Sequence, residues 1–468
     1  MTADRAAAPA FRPGTAPWSL DDLEFERRMR IDHYGGTSPR FACVAASGVT
    51  QRLVDLAGAE RGRVFDVLDA GGGYASACLG AGHAAVRAAV TRAVDQAGYT
   101  TDEIGSSERA RLLTGLFGPG GLWAERFPAA DYHVCGRNSG SEGMELALRL
   151  ALESRFDGRR LRPVPGRGER TIVLAFEGAW HGWSAGVLPL LNRRHHRAGL
   201  PSLADRPPYG LTVEHLPFGV PDALSGFFDA HGARLLAVVV EPVQGDAGIL
   251  LPPAGYLRQL ARLCRDNGVL LIADEVLTFA RTGRFFAMTD EHGPVPADVT
   301  VIGKSLGMGV LSTSMVIARR ELTVRASGAV ATSDLRPFTC AVVGDGLRHI
   351  VAEGLLARSV SVGRTLAGLL ERLVADFPAV FRRSRGAGLM HGVELTERAA
   401  TRITELRDCV IRSGTYVEFM AGAGRRGGSL GYVFPTMRVA PPLVTTPEEA
   451  ERMVAGIQAG AARFQARL

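Results

Sequence analysis

Short apolar runs that alternate with amphipathic helical stretches constrain the fold of this chain more than any other feature. Helical patterns lie between the runs, for example at 140–154 and at 255–267, where Gly268 stands in the position of a C-terminal helix stop. Continuously apolar strands that are separated by helices are typical of a parallel sheet covered on both faces. We therefore predict an α/β protein whose large domain contains a mostly parallel sheet covered by helices. The candidate strands are residues 132–135, 171–176, 235–240, 269–273 and 298–302.

The C-terminal third of the chain has a different pattern. A long helical pattern starts at about residue 345 and another covers residues 447–466, with short strand-like pieces at 388–395 and 432–440 between them. This pattern predicts a second, smaller α+β domain. The expected organisation is a disordered lead-in at 1–17, an N-terminal part of the small domain at 18–75, a large domain at 76–344 and the C-terminal small domain at 345–468.

Composition argues against several classes of protein. With 46% hydrophobic and 22% charged residues, the chain has enough apolar material for a large core. Its basic residues are interspersed with acidic ones and form no arginine stripe between aromatic residues, so no nucleic-acid partner is expected. No apolar segment approaches membrane-spanning length, the N-terminus lacks the pattern of a signal peptide, and the six cysteines show no CxxC spacing. We therefore expect a cytoplasmic protein with no membrane partner and no metal site.

The chain contains a single lysine, Lys304, among 54 lysine and arginine residues. Arginine remains protonated at any working pH, whereas a lysine amine becomes a nucleophile once burial and neighbouring charges lower its pKa. Lys304 follows a candidate strand and precedes a glycine-rich turn in the segment IGKSLGMG. A solvated surface lysine is the alternative, but the position at a strand end favours a site that needs a primary amine, as Schiff-base chemistry does.

Asp274 stands at the end of another candidate strand, in the segment VLLIAD. A carboxylate at the end of a buried strand is costly unless it meets a positive partner. Asp274 could supply negative charge to a protonated heteroaromatic nitrogen, or it could be an ordinary turn or cap residue. Because ligands collect at the carboxyl ends of parallel strands, Asp274 and Lys304 can face one ligand.

Two further segments follow candidate strands. Gly140 and Ser141 begin a helix, where free backbone N–H groups and the helix dipole favour an anion. Trp180, in FEGAWHGWSAG, offers a ring that can stack on a planar ligand. A simple helix cap and a core tryptophan are the alternatives. Together with Lys304 and Asp274, these residues combine an anion site, a stacking ring, a carboxylate and a primary amine.

Five sequence blocks stand in order along the chain, namely NSGSEGMELALRLA, EPVQGDAGILLPPAGYLRQLARLC, LLIADEVLTFARTGRF, PADVTVIGKSLGMG and MRVAPPLV. In order and spacing they resemble the class III aminotransferases (ornithine/GABA-type, glutamate-1-semialdehyde aminomutase-like), which are pyridoxal-phosphate enzymes of fold type I. The resemblance runs from about residue 60 to the C-terminus.

The resemblance implies a role for each candidate residue around pyridoxal 5'-phosphate. Lys304 would hold the cofactor as a Schiff base and, once released, move a proton between substrate and cofactor carbons. Asp274 would pair with the pyridinium nitrogen. Val276 and Trp180 would pack against the two faces of the ring, with Trp180 standing where the family usually has tyrosine or phenylalanine.

The resemblance also implies a phosphate site and a dimer. Gly140 and Ser141 would bind the phosphate. Thr339, in RPFTCAVVG, matches a family threonine that reaches the phosphate from the other subunit, although CAVVGDG replaces the glycine- and asparagine-rich stretch that usually follows. The implied active unit is a homodimer with active sites at the interface. Glu241, of the EP pair, matches a position near the cofactor and is given no firm role.

Departures from the family pattern concern the substrate. Leu277 replaces a glutamine that often bonds the ring hydroxyl of the cofactor, as an apolar residue also does in glutamate-1-semialdehyde aminomutases. Asp246 replaces a glutamate that, in ornithine-type members, pairs with the arginine matched here by Arg438 and opens to admit the carboxylate of glutamate or 2-oxoglutarate. The shorter aspartate implies a weaker switch, with a structural salt bridge as the alternative. The loop 192–199, NRRHHRAG, is either a charged substrate entrance or a solvated surface loop.

These observations predict a cytoplasmic, homodimeric aminotransferase that moves an amino group between an amino donor and a carbonyl substrate, with glutamate suggested as donor by Arg438. The divergent blocks favour a specialised biosynthetic pathway, such as secondary-metabolite or amino-sugar synthesis. The alternative is an aminomutase, epimerase or elimination (dehydratase) enzyme on an amino-bearing substrate, which Leu277 and Asp246 favour. A catalytically inactive binding module is a third hypothesis, and the presence of both Lys304 and Asp274 argues against it.

Overall fold

The computed structural model describes residues 18–30, 40–101, 103–157, 162–192, 211–323, 331–332, 334–425 and 432–468. The lead-in predicted at 1–17 and residues 193–199 of the charged loop lie outside these ranges, so both hypotheses about them stay predictions.

Helices and strands alternate through the middle of the chain. In the described ranges the helices are α1 (Leu20–Met29), α2 (Gly72–Ala75), α3 (Ala84–Gln96), α4 (Ser107–Phe117), α5 (Gly140–Glu153), α6 (Pro221–His231), α7 (Tyr256–Asp266), α8 (Pro337–Ala352), α9 (Leu355–Asp376), α10 (Glu397–Ala400), α11 (Ile403–Arg412) and α12 (Pro447–Gln465). The strands are β1 (Phe41–Ser47), β2 (Thr50–Asp55), β3 (Val64–Asp69), β4 (Tyr132–Arg137), β5 (Ile172–Phe176), β6 (Thr212–Leu216), β7 (Leu235–Val240), β8 (Leu270–Glu275), β9 (Thr289–Asp290), β10 (Gly293–Pro294), β11 (Val299–Ile302), β12 (Ser314–Arg319), β13 (Phe381–Ala387), β14 (Met390–Leu395), β15 (Thr415–Tyr416), β16 (Glu418–Met420), β17 (Gly424–Arg425), β18 (Tyr432–Val433) and β19 (Thr436–Val439).

The largest sheet has seven strands in the order β4-β12-β11-β8-β7-β5-β6. Its strands run parallel except β12, which is antiparallel to both of its neighbours. The candidate strands of the sequence correspond to β4, β5, β7, β8 and β11, so the predicted mostly parallel sheet is confirmed. β6 and β12 are additional strands, and β6 lies at the sheet edge, where its polar residues reach the surface.

Alternate residues of β8 show why its sequence is continuously apolar. Leu271 packs in a core cluster with Leu260 of α7, whereas its neighbour Ile272 packs in a different cluster with Met144 of α5. Because successive side chains of a strand point to opposite faces, the sheet is covered by helices on both sides. Because helices cover both faces of the sheet, a ligand can reach side chains only at the loops that follow the strands.

Two four-stranded sheets, β1-β2-β3-β15 and β13-β14-β19-β16, are built from regions near the two ends of the chain. β15 pairs in parallel with β3 and so joins the C-terminal region to the N-terminal strands. The assignment of 18–75 and 345–468 to one small domain stays a prediction, and α8 continues without a break through residue 344. None of the helices in the described ranges is long and apolar enough to cross a membrane.

Candidate active site

Lys304 lies two residues beyond the end of β11, in a tight turn where its own φ is +42°. A non-glycine residue with positive φ is uncommon, and such backbone strain is concentrated at functional sites. Burial lowers the pKa of Lys304 to about 8, assisted by the positive charge of Arg438 and opposed by nearby carboxylates. Roughly a tenth of this amine is therefore unprotonated at pH 7, and the unprotonated amine is the form in which a Schiff-base lysine reacts.

Asp274 is buried near the end of β8, beside the β11 strand that leads to Lys304. Its Oδ2 lies 2.7 Å from Nδ1 of His181, and its Oδ1 accepts a hydrogen bond from the Val276 N–H at 3.0 Å. Burial alone would lower the pKa of His181, but the hydrogen bond and the charge of Asp274 raise it instead. Asp274 is thus a buried carboxylate with a histidine partner. His181 was not among the residues assigned from the sequence; its position after Trp180, behind a strand, is the signal that could have found it.

Val276 connects the start of α5 with the turn that carries Lys304. A Cβ atom added at Gly140 would lie 2.7 Å from Cγ1 of Val276, closer than real side chains approach. A Cβ atom added at Gly303, next to Lys304, would lie 3.2 Å from the same atom. The structure therefore brings Gly140, Val276 and Lys304 into one neighbourhood, and the missing side chain of Gly140 is what allows the close approach.

Ser141 lies in the first turn of α5 but does not cap the helix. Ser139 is the N-cap, because its Oγ accepts the Glu142 N–H at 3.2 Å. The Ser141 Oγ instead accepts the Trp183 N–H at 3.2 Å, and its side chain fills the space beside Gly182. Ser141 is therefore packed against the segment that contains Trp180 and His181. Its predicted phosphate contact stays a prediction.

Glu241, directly after β7, accepts hydrogen bonds from two loops of the site, one that contains Trp180 and one that contains Gly245. Its Oε1 accepts the Trp180 N–H at 2.8 Å and its Oε2 accepts the Gly245 N–H at 2.9 Å. Burial raises the pKa of Glu241 to about 7, while the neighbouring His181 acts in the opposite direction. The Trp180 ring meets the Trp183 ring edge-on with centroids 4.5 Å apart. The orientation of the Trp180 segment is thus fixed through its backbone, and stacking of its ring on a cofactor stays a prediction.

Arg438 on β19 is paired with Glu418 on the neighbouring strand β16. Its Nε donates a hydrogen bond to Oε2 of Glu418 at 3.0 Å, and its Nη2 donates to the same oxygen. Burial alone would lower the pKa of Arg438, but Glu418 and, to a smaller extent, the charge of Asp246 raise it. Asp246 therefore acts on Arg438 through its charge, whereas Glu418 is a hydrogen-bonded carboxylate that the sequence pattern does not indicate. An Asp246–Arg438 switch stays a prediction.

Thr339 is the third residue of α8 and is half-buried. The loop before this helix contacts β4, because Asp334 Oδ1 accepts the Gly136 N–H at 2.5 Å. The expectation that Thr339 reaches the phosphate of a second subunit concerns two chains, and it stays a prediction.

The residues of this site fit pyridoxal 5'-phosphate. The start of α5 offers free backbone N–H groups to a phosphate, and Gly140 keeps that start free of a side chain that would collide with Val276. The Asp274 carboxylate, held by His181, suits a protonated ring nitrogen. The amine of Lys304, whose pKa is about 8, suits an aldehyde. Three functional groups of the cofactor thus have chemically matched partners.

The chain is similar to known proteins along most of its length. The family model described as aminotransferase class-III matches residues 42–460. The mitochondrial ornithine aminotransferase of Oryza sativa subsp. japonica is 30% identical over 316 residues, which are 67% of this chain and 62% of the rice protein. Ornithine aminotransferase 2 of Staphylococcus saprophyticus subsp. saprophyticus is 32% identical over 321 residues, which are 67% of this chain and 71% of that protein.

Solved structures show the same fold at lower sequence identity. The ornithine aminotransferase of Toxoplasma gondii ME49 superposes with a TM-score of 0.77 at 23% identity, covering 96% of this chain and 97% of that one. A thermostable (S)-enantioselective omega-transaminase from Thermomicrobium roseum also gives 0.77 at 23% identity, covering 96% and 99%. The chain belongs to the class-III aminotransferases. It is a pyridoxal-phosphate-dependent enzyme with fold type I, as the resemblance of its sequence blocks predicts.

Proposed function

We propose that this enzyme transfers an amino group between a small-molecule amine and a carbonyl compound, with Lys304 as the residue that moves the proton. The observation that carries the proposal is the amine of Lys304, with a pKa of about 8, just beyond the strand β11. This strand pairs with β8, which carries the His181-bound carboxylate of Asp274. A base of this pKa can both accept and return a proton near neutral pH.

The other residues bind and orient. When bound, the cofactor supplies an electron sink for the electron pair left on the substrate carbon. Asp274 would hold the ring nitrogen in its protonated form, and His181 would keep that carboxylate in place. Val276 and Trp180 would contact the two ring faces. Gly140 and Ser141, at the start of α5, would bind the phosphate.

Glutamate is the donor suggested by Arg438, because the planar guanidinium fork suits a carboxylate. We further propose a cytoplasmic homodimer in which Thr339 of one subunit completes the phosphate site of the other, and a role in a specialised pathway such as secondary-metabolite or amino-sugar synthesis. The homology to ornithine aminotransferases supports the chemistry. The donor, the assembly and the pathway are proposals about this chain.

The visible spectrum of the cofactor-loaded protein tests this proposal. Glutamate, alanine and a panel of carboxylate-free amines would be added one at a time, and released keto acids or aldehydes would be measured. Conversion of the pyridoxal spectrum to a pyridoxamine spectrum, with one carbonyl product per cofactor, is the expected result. A spectrum that no amine converts, with no carbonyl product, would refute transamination.

A second candidate function is an aminomutase, epimerase or elimination enzyme, which returns the amino group to the product or releases it as ammonia. Leu277 favours this candidate, because its side chain packs against Gly245 at the place where the family often has a hydrogen-bonding glutamine. The same experiment separates the two functions. Exchange of the substrate α-proton with solvent, without formation of pyridoxamine, would support the second candidate.

A further inference from the structure

A cavity between the two end regions of the chain is lined almost entirely by charged side chains. It encloses about 420 Å³ and is bordered by the loops next to β1 and β3, by α11 and by the C-terminal end of α12. Its volume is in the range of small-molecule sites. Its lining shares no residue with the candidate active site. The arginines that line it are Arg40, Arg63, Arg412, Arg463 and Arg467.

Two of these arginines are fixed by a buried carboxylate. Asp55, at the end of β2, is fully buried and accepts hydrogen bonds from Nε and Nη2 of Arg40 at 3.1 and 3.3 Å. Nη2 of Arg412 donates to the same carboxylate, and Nη1 of Arg40 donates to Asp408 of α11 at 3.0 Å. These contacts join the N-terminal sheet to α11. Arg40 and Arg412 are therefore held in place on one side of the cavity.

The two arginines at the end of α12 are not held in this way. Nη1 of Arg467 is 3.9 Å from Oε1 of Glu405, which is beyond hydrogen-bond distance. Glu405 is bound more closely by Arg402, at 2.6 Å. Arg463 forms no ion pair with any residue in the part of the chain that the structure describes. Two exposed guanidinium groups without a close carboxylate partner therefore border the cavity.

Positive charge predominates around the cavity. Five arginines line it, against three carboxylates. Including Asp55 behind the lining and Arg402, the partner of Glu405, adds one charge of each sign and leaves the excess unchanged. The dipole of α12 favours a cation at its C-terminal end, but it does not account for arginines that converge from three parts of the fold. Because guanidinium groups bind phosphate and carboxylate oxygens in a bidentate geometry, this excess suits an anion.

We propose that this cavity binds a small anion with two or more negative charges, either a phosphorylated compound or a polycarboxylate. Arg463 and Arg467 would provide its main contacts, opposite the fixed guanidinium groups of Arg40 and Arg412. The anion would connect the N-terminal sheet to α11 and α12, because residues of both regions line the cavity. A ligand that binds only the folded chain stabilises it. This site is independent of the proposed transamination.

Calorimetric titration of the cofactor-loaded protein with pyrophosphate and, separately, with citrate tests the proposal. The cofactor is kept bound so that its own phosphate site is filled, and the buffer is low in salt because ions screen exposed charges. We expect one anion per chain and a melting temperature that rises with anion concentration. Binding of pyrophosphate alone identifies a phosphorylated ligand, and binding of citrate alone identifies a polycarboxylate. If neither anion binds, the proposal is wrong.

The double variant Arg463→Ala/Arg467→Ala locates the site. Its affinity for the anion should be about tenfold to a hundredfold lower than that of the wild type, since two charged hydrogen-bonding groups are lost. Arg372→Ala/Arg452→Ala is the matched control, because it removes the same charge from exposed positions of α9 and α12 that do not line the cavity. Its affinity should equal that of the wild type. An equal loss in both double variants would show that net charge alone attracts the anion, and would overturn the proposal.

The visible spectrum of the bound cofactor separates a lost anion site from a damaged fold. Neither Arg463 nor Arg467 belongs to the candidate active site, so the cofactor band should be unchanged in their double variant. If anion binding disappears only together with this band, the effect is structural and the proposal is wrong. If the double variant does not fold, Arg463→Ala alone should lower the affinity by about threefold to tenfold, and an unchanged affinity would overturn the proposal. Calorimetry requires no turnover, so a failure of transamination leaves this test intact.

Discussion

Nδ1 of His181 lies 2.7 Å from Oδ2 of Asp274, and both side chains are almost completely excluded from solvent. The contact joins the segment after β5 to the end of β8, two strands apart in the sheet. The raised pKa of His181 follows from this carboxylate, which outweighs the effect of burial. The Asp274 carboxylate thus favours the protonated form of His181, and the pair places a buried carboxylate at the centre of the site.

The loss of stability that is caused by replacing His181 should depend on pH in a defined direction. The folded pKa of His181 is raised, so its stabilising contribution is present below the unfolded value and is lost as pH rises through the folded pKa. His181→Phe should therefore lower the free energy of unfolding by about 3 kcal/mol at pH 6 and by less at alkaline pH. Urea titrations of both proteins at several pH values would measure this difference.

His391→Phe is the control for that experiment. His391 is also buried, and its Nε2 is 2.8 Å from the carbonyl oxygen of Gly388. Burial lowers the pKa of His391, so its contribution is lost as pH falls rather than as pH rises. Opposite pH trends in the two variants are expected. A contribution of His181 that grows toward alkaline pH would show that its pKa is not raised by Asp274.

The single lysine makes the Schiff-base assignment unusually easy to test. Borohydride reduction of the cofactor-loaded protein should attach one pyridoxyl group per chain, on the peptide that contains Lys304. Lys304→Ala should lose this label and should lower kcat by about a factor of 10² to 10⁴. Because only the neutral amine attacks an aldehyde, the rate of cofactor attachment to the apoprotein should rise through pH about 8. A label that persists in Lys304→Ala would contradict the assignment.

The close approach of Gly140 to Val276 predicts a rescue by a second mutation. Gly140→Ala places a Cβ atom 2.7 Å from Cγ1 of Val276, so it should destabilise the protein by about 1–3 kcal/mol and weaken cofactor binding. In the double variant with Val276→Ala, the nearest remaining atom would be Cβ at 3.5 Å, an ordinary contact. A double-mutant cycle on cofactor affinity and melting temperature should show strong coupling. Additive effects would mean that the two residues are not in contact.

The neighbourhood of Lys304 and Asp274 could be predicted because two simple rules apply to it. Each residue follows a continuously apolar run, and parallel strands bring their carboxyl ends to the same edge. In the observed register, Val301 of β11 stands opposite Asp274 of β8, so the two strand ends lie side by side. Buried strands and strand ends are thus the part of this fold that sequence patterns specify.

Glu418 and Tyr74 could not be found in this way. Glu418 reaches Arg438 only because β16, a three-residue strand, pairs with β19, and such a short strand carries no periodic signal. Tyr74, whose N–H donates a hydrogen bond to Oε1 of Glu418, lies in a run of four successive residues with positive φ, Gly72–Ala75. Gly72 and Gly73 adopt this conformation readily, but Tyr74 and Ala75 adopt it without being glycine, so the glycines alone do not specify it.

The raised pKa of Glu241 predicts a pH dependence of the free energy of unfolding. Its pKa is raised to about 7 by burial, so the folded protein holds a proton there that the unfolded chain releases at lower pH. The contribution of Glu241 to the free energy of unfolding should therefore fall by about 3 kcal/mol between pH 5 and pH 8, since one pKa unit is about 1.4 kcal/mol. Glu241→Gln has no titrating group at this position and should lack this part of the pH dependence.

Thermal or urea unfolding of the wild type and of Glu241→Gln at pH 5, 6, 7 and 8 measures this contribution as a difference. Glu394→Gln is the control. Burial alone would raise the pKa of Glu394, but hydrogen bonds from Arg383 and Arg385 outweigh burial and lower this pKa. Its contribution is lost only as pH falls below the carboxylate range, so the difference between wild type and that variant should stay constant above pH 5. If the difference for Glu241→Gln is equally constant, Glu241 is ionised throughout and its two backbone hydrogen bonds outweigh its burial.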